Sequence, residues 1–287
     1  MDAHCETIVT RGSIGGSQWE MASRPPNPAL RRYVKSLVGY DEHSLGPQSQ
    51  RQFPASYVVV IIDFGAPLQV TMGGDPRTTS TNAGGFVAAL DDAYAITQHG
   101  GRQLGVQVDL TPTGARRLFG LPLSELSGRI VALDDLWPHD HARLCDSLAN
   151  AENWALRLDL VEKEIGHRIL ASHLDSALVD WAVGQIETQY DTLKIGSLSK
   201  EIGCSPRHLI SRFRDQVGVP PKQLARLVRF GRVTDDFRAA PNLRLSELAA
   251  NHGFSDQAHL ARDVKHFTGL TATEAAESFS ELADLFG

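Results

Sequence analysis

The last third of the chain carries one pattern twice: an apolar stretch at helical spacing, a glycine, a polar residue and a second apolar stretch at helical spacing. The first copy is IGSLSKEIGCSPRHLISRF, residues 195–213, and the second is LSELAANHGFSDQAHLARDV, residues 245–264. A repeated unit fixes an architecture before any single residue is interpreted. In the first copy Ile195, Leu198 and Ile202 mark one helix face, Gly203 interrupts it, and Leu209, Phe213 and Val217 mark another. Gly203 can take the positive φ of a sharp helix end, Ser205 can accept from the free N–H groups of the next helix, and Pro206 suits its first position. The second copy repeats this grammar with Leu245 and Leu248, a break at Gly253, the cap candidate Ser255, and the anchors Leu260, Val264 and Phe267. Leu209 and Phe213 follow their glycine by six and ten positions, Leu260 and Val264 by seven and eleven, so one residue is inserted in the second turn.

Between the copies, Pro220 and Pro221 open a segment in which Leu224, Leu227, Val228, Val233 and Phe237 share a helix face. A helix over 222–237 would span roughly 24 Å at ~1.5 Å per residue. Successive major grooves on one face of B-DNA lie ~34 Å apart, so two helix-turn-helix units on such a strut suit adjacent grooves.

The segment from about Asp175 to Ala276 resembles the DNA-binding domain of the AraC/XylS transcription regulators. The residues that carry the resemblance are LSKEIGCSPRHLISRFRDQVGVPPKQLARLVRF and LSELAANHGFSDQAHLARDVKHFTGLT, about a third of the chain. It implies seven helices with two helix-turn-helix units. The family usually closes with proline, an aromatic and arginine after the final glycine, whereas Gly269 is followed here by LTATEAAESF, which leaves the last helix boundary open.

In a helix-turn-helix the second helix enters the major groove, its N-terminal residues meeting base edges while basic side chains hold phosphates. With Leu209 and Phe213 facing the core, Arg207, His208, Ile210, Ser211 and Arg214 are left for the groove or its flanks. The resemblance places base readers on Arg207, Ile210 and Ser211. Arg207 suits a bidentate contact to guanine, worth ~1–3 kcal/mol of discrimination, and Ile210 suits a thymine methyl. Arg212 and Arg214 are placed for phosphates, for pairing with Asp215, or as an ordinary solvated face. In the second unit the resemblance places base or backbone contacts on Gln257, Ala258, His259 and Arg262, and Lys265 completes the DNA-binding set. Asp256 and Asp263 would oppose phosphate, although a carboxylate in the first turn also favours the helix dipole, the preferred reading for Asp256.

Charge follows the same division. The formal net charge is −6, yet residues 190–276 hold 13 Lys and Arg against 9 Asp and Glu. The 287 residues suit two domains, read as 1–173 for sensing or dimerisation and 174–287 for reading DNA. The fold class expected is α+β: a β-rich N-terminal domain with helices, then an all-α domain. Residues 1–28 show scattered Gly, Ser and Pro without a period and read as a loose leader. FPASYVVVIIDF and LQVTM read as strands, GGDPRTTSTNAGG as a long polar connection, and residues 86–90 as a further short strand. Residues 103–110 alternate Leu104, Val106, Val108 and Leu110 against Gln103, Gly105, Gln107 and Asp109, which implies one buried face. Helix follows Pro112, and Leu144, Leu148, Leu156, Leu160, Ile165 and Ile169 form a helical stripe. A cupin-like barrel is plausible on family grounds only.

Enzyme chemistry gains little. No G-x-S-x-G, P-loop, H-E-x-x-H or dinucleotide fingerprint is present. WPHDH, with His139, Asp140 and His141, and then Cys145, is the strongest metal candidate, but residues two apart on a helix diverge, and a helix start with Pro138 at the entry fits better. His43 and His99 stand isolated as ligands. Cys5, Cys145 and Cys204 read as reduced thiols. The expectation is a cytoplasmic, sequence-specific regulator with double-stranded DNA as partner, no metal, no cofactor and no membrane contact. RNA polymerase, a small-molecule effector and a second copy are further partners that this plan allows. A ligand-insensitive architectural or dimerisation factor and a metal-dependent enzyme fused to a DNA reader are the alternatives.

Overall fold

The computed structural model describes residues 6–174, 177–192, 194–239 and 244–286. Its strands form two antiparallel sheets. The larger has the order β1-β2-β3-β10-β5-β8-β11, built from Ile8–Ile14, Ser17–Ser23, Val34–His43, Arg102–Leu110, Val58–Asp63, Gly85–Ala88 and Ile130–Ala132. The smaller has the order β4-β9-β6-β7, built from Gln48–Gln52, Ala95–His99, Leu68–Met72 and Ser80–Asn82. The N-terminal part is thus β-rich, as expected from the sequence.

Two strand assignments correct the sequence reading. The leader is a hairpin: β1 and β2 pair from Ile8 against Ser23 to Ile14 against Ser17, and Gly15 and Gly16 both take positive φ at its tip. Two successive positive-φ residues make the turn that matches the strand twist, so the Gly-Gly pair was the signal and scattered polarity hid it. The second correction concerns β10. Its alternation implied one buried face, yet Gln103 and Asp109 are buried too, at 8% exposure each, because each face of the large sheet is covered. On one face Val58, Val60, Ile62, Val106, Val108 and Leu110 meet the helices that follow. On the other, Ile61 and Phe86 meet Leu68 and Val70 of the small sheet.

Those helices are α1 (Pro112–Phe119), α2 (Leu133–Leu136), α3 (His141–Asn150) and α4 (Trp154–Ala171). The stripe expected along 139–172 divides between α3 and α4. Leu156 points outward at 44% exposure, while Leu158 and Val161 take the core positions. Seven helices complete the described chain: α5 (Ala177–Gln189), α6 (Ile195–Ile202), α7 (Pro206–Val217), α8 (Pro221–Ala239), α9 (Leu245–Asn251), α10 (Gln257–Thr268) and α11 (Ala272–Phe286). The two repeats are α6–α7 and α9–α10, and α8 joins them.

At 19 residues α8 is longer than the sequence indicated, about 28 Å. It is also buried, with Leu224, Leu227, Phe230, Val233 and Phe237 almost free of solvent and the Phe230 ring 4.7 Å from that of Phe267. A strut packed on this scale holds the two units in one relationship. After Gly269, α11 starts one residue past Thr271, whose backbone N–H donates to Glu274 at 2.8 Å while its hydroxyl accepts from the Glu274 N–H at 3.3 Å. This reciprocal cap fixes the helix boundary that the sequence left open.

Candidate nucleic-acid interface

The N-terminus of α7 is built as its sequence implies. Gly203 ends α6 at φ 73°, Ser205 accepts from the His208 N–H at 3.2 Å, and Pro206 opens the helix. Leu209, Phe213 and Val217 are buried. Arg207, His208, Ser211, Arg212 and Arg214 are left exposed and Ile210 half-buried. The pairing of Arg212 or Arg214 with Asp215 is absent: among the described residues neither arginine forms an ion pair.

The second unit departs from the first at the inserted residue. The cap of α10 is Asp256 and not Ser255, its carboxylate accepting from the His259 N–H at 2.6 Å. The insertion after Gly253 moves the cap one position along, and Ser255 instead lies 3.2 Å from His259 Nδ1. That backbone hydrogen bond holds the Asp256 carboxyl below its usual range, which supports the structural reading of this residue. Asp263 does not oppose phosphate. It is buried and accepts from Arg226 at 3.0 Å and Arg229 at 3.2 Å, both on α8. The exposed face of α10 holds Gln257, Ala258, Arg262 and Lys265, with His259 half-buried and edge-on to Phe254.

The N-terminal part grips each of these helices at its far end. Beyond α7, a side chain on Gly218 would strike Ser127 Oγ, and α7 packs on α1 and on the short turn Leu123–Glu125. Beyond α10, Arg51 donates to the Thr268 carbonyl at 2.8 Å while its guanidinium lies 4.3 Å from the centre of the Tyr94 ring. Asp92 stands 3.0 Å from His266 and 4.0 Å from Arg226. The expected base readers Arg207, Ser211, Gln257 and Ala258, at or near the N-terminal ends of α7 and α10, are exposed. Sequence reasoning missed this clamp because its partners lie 91 positions apart at Ser127 and Gly218 and 217 apart at Arg51 and Thr268.

A second feature is a cavity of about 410 Å³ between the sheets. Its middle is apolar, and Tyr40, Glu42, His99 and Gln103 form a polar end. Burial raises the Glu42 carboxyl and lowers the His99 imidazole. Arg51, Phe53, Pro54, Ala55 and Tyr57 line its other end, and Phe53 to Tyr57 also line a cleft against α8. The signal for the cavity was the row Gln103, Gly105, Gln107, read from sequence as a solvated face.

The WPHDH segment makes a helix entry. His141 opens α3, with its Nε2 2.7 Å from the Gly84 carbonyl and 3.4 Å from Cys145 Sγ. Asp140 caps no N–H group there and instead pairs with Arg143 and Arg168. Burial pushes the Cys145 thiol up to about 11, which keeps it protonated and unreactive. His43 stands 3.1 Å from Asp41, and His99 Nδ1 accepts from the Gly101 N–H. Among the described residues no three His, Cys, Asp or Glu are grouped to hold a metal ion. Cys145 and Cys204 are free, and Cys5 lies outside the described residues. No helix among the described residues is long and apolar enough to cross a membrane.

Two helix-turn-helix units joined by a buried helix define the class of the C-terminal part. Residues 198–278 match the family described as a helix-turn-helix domain, and the resemblance to the AraC/XylS regulators holds there: the segment is an AraC-type DNA-binding domain. No curated protein matches the chain. Among solved structures it is similar to ToxT from Vibrio cholerae, at 10% identity over 81% of this chain and 98% of that one, TM-score 0.47. It is similar to a probable AraC family transcriptional regulator from Rhodopseudomonas palustris CGA009, at 25% identity over 36% of this chain and 96% of that one, TM-score 0.33. The AraC-like transcriptional activator CuxR is 14% identical over 81% of this chain and 88% of that one, TM-score 0.31.

Proposed function

We propose that the protein is a cytoplasmic, sequence-specific transcription regulator whose helices α7 and α10 enter adjacent major grooves. The observation that carries this reading is the pair of exposed recognition faces held on α8, each with its core side buried and its cationic side free. In it Arg207, Ile210, Ser211, Gln257, Ala258 and His259 meet base edges, His208 flanks them, and Arg212, Arg214, Arg262 and Lys265 hold phosphates. Arg262 also reaches guanine. No catalysis is assigned to the chain.

Residues 1–173 then act as the controlling domain and 174–287 as the reader. The inter-sheet cavity is the effector site. Its occupancy reaches DNA through Arg51 and the segment 53–57, which face both the cavity and the C-terminal helices. Because the clamp touches both recognition helices at their C-terminal ends, a small shift of this wall changes their spacing and so their fit to the operator. RNA polymerase and a second copy of the chain are the remaining partners in this scheme.

The reading is tested by exchanging Arg207 and Arg214 for Ala in separate full-length variants and measuring affinity over a panel of duplexes. Arg207→Ala should relax preference at one base pair, by about 1–3 kcal/mol, and Arg214→Ala should weaken all sequences alike. A uniform loss from both would remove Arg207 from the base readers.

A further inference from the structure

We propose that the inter-sheet cavity takes an amphipathic organic amine, with an apolar body between the two sheets and a protonated nitrogen held at Glu42. The inference rests on the reading of this cavity as an effector site and adds the chemistry of its occupant.

Strand register brings the polar groups to one end. Glu42 on β3 pairs with Gln103 on β10, and Tyr40, two residues back on the same face, pairs with Gly105. His99 closes the same end from the last position of β9. Beyond them Val59, Ile61, Leu68, Val70 and Phe86 give a wholly apolar middle. The volume of about 410 Å³ fits a molecule with one ring and a short chain, within the ~300–1,000 Å³ common for small-molecule sites.

The charges around this space are unbalanced. Glu42 and Asp91 are both cavity-lining carboxylates, and burial raises each of them. Arg51 is the sole arginine or lysine among the described lining residues, and it is engaged by the Thr268 carbonyl and the Tyr94 ring. His99 is held neutral by burial, with Nδ1 accepting from the Gly101 N–H, so it brings no positive charge. Glu42 therefore has no ion pair and no hydrogen-bond donor among the described residues. A carboxylate withdrawn from water without a partner is costly, and a cation seated against it recovers that cost. A bound carboxylate would instead meet two acids and an arginine already in use.

A second, independent feature is Gln103. It is 8% exposed, it lines the cavity, and its Nε2 has no acceptor. An unsatisfied buried donor is destabilising, and an oxygen next to the ligand nitrogen would relieve it. The complementary head group is thus a protonated amine with a neighbouring acceptor, such as an amino alcohol.

Titration calorimetry of the full chain with 4-phenylbutylamine, 4-phenylbutanol and 4-phenylbutyrate compares three heads on one body. The expected order is amine, alcohol, carboxylate, with at least tenfold between the first and the last. Glu42→Gln should bring the amine down to the alcohol. Tighter binding of the carboxylate, or amine binding indifferent to Glu42→Gln, would overturn the assignment, and the first result needs no variant. Binding of none of the three at millimolar concentration would overturn it as well. Failure of the effector-site reading itself is separable: Val70→Trp fills the cavity, and DNA affinity unchanged in that folded variant would show that the cavity does not communicate with the reader.

Discussion

Arg212, Arg214, Arg262 and Lys265 are exposed on the two recognition helices, and none forms an ion pair among the described residues. If each neutralises one phosphate, about four counterions leave the duplex on binding, and log affinity should fall against log salt with a slope of about −3.6. Raising salt from about 50 to about 200 mM would then cost roughly 150-fold in affinity, about 3 kcal/mol. Arg214→Ala removes one contact and should bring the slope to about −2.7. The ratio of wild-type to variant affinity should narrow about 3.5-fold over the same interval. Fluorescence anisotropy with a labelled duplex, repeated at four salt concentrations for each protein, measures both slopes directly. A wild-type slope shallower than about −2 would mean that these side chains do not sit on the backbone. An unchanged slope in Arg214→Ala would remove that residue from the phosphate contacts.

Other outcomes follow from the same geometry. Asp263→Ala leaves Arg226 and Arg229 without their shared acceptor and should destabilise the fold by about 3 kcal/mol, read as a lower urea midpoint. Asp63 is 1% exposed, and burial raises its carboxyl from 3.8 to about 6, so the folded state favours the protonated form. Its contribution is fully present below pH 3.8 and is lost as pH rises toward and through 6. Asp63→Asn escapes that loss, so its stability relative to wild type should grow by roughly 2 kcal/mol between about pH 4.5 and 7.5. A gap that stays constant with pH would mean that Asp63 is not protonated in the fold. Arg51→Ala removes the hydrogen bond to Thr268 and should speed amide exchange in the last turn of α10 while leaving base preference intact.

The reader was far more legible than the domain ahead of it, and the reason is the distance over which each signal acts. Caps, the Gly203 turn and the spacing of Leu209 and Phe213 are local, and the structure reproduces them. The cap of α10 moved to Asp256 through one inserted residue, whose presence the anchor spacing had already disclosed. Asp263 was misjudged because its two arginines come from α8, more than 30 positions away. In the N-terminal part, Gln103 and Gln107 follow a period that normally marks solvent, and only the second sheet turns that face into a cavity wall. The hairpin at Gly15 and Gly16 was a local signal overlooked among polar residues.

The central claim is that one chain reads two grooves through α7 and α10. Selection of binding sites from random duplexes with the full-length protein tests it most directly. The expected product is two short conserved blocks with centres one helical turn apart, about 10–10.5 base pairs, the block facing α7 losing one position of preference in Arg207→Ala. A single block, or a spacing that varies freely between selected sequences, would contradict a rigid two-groove reader.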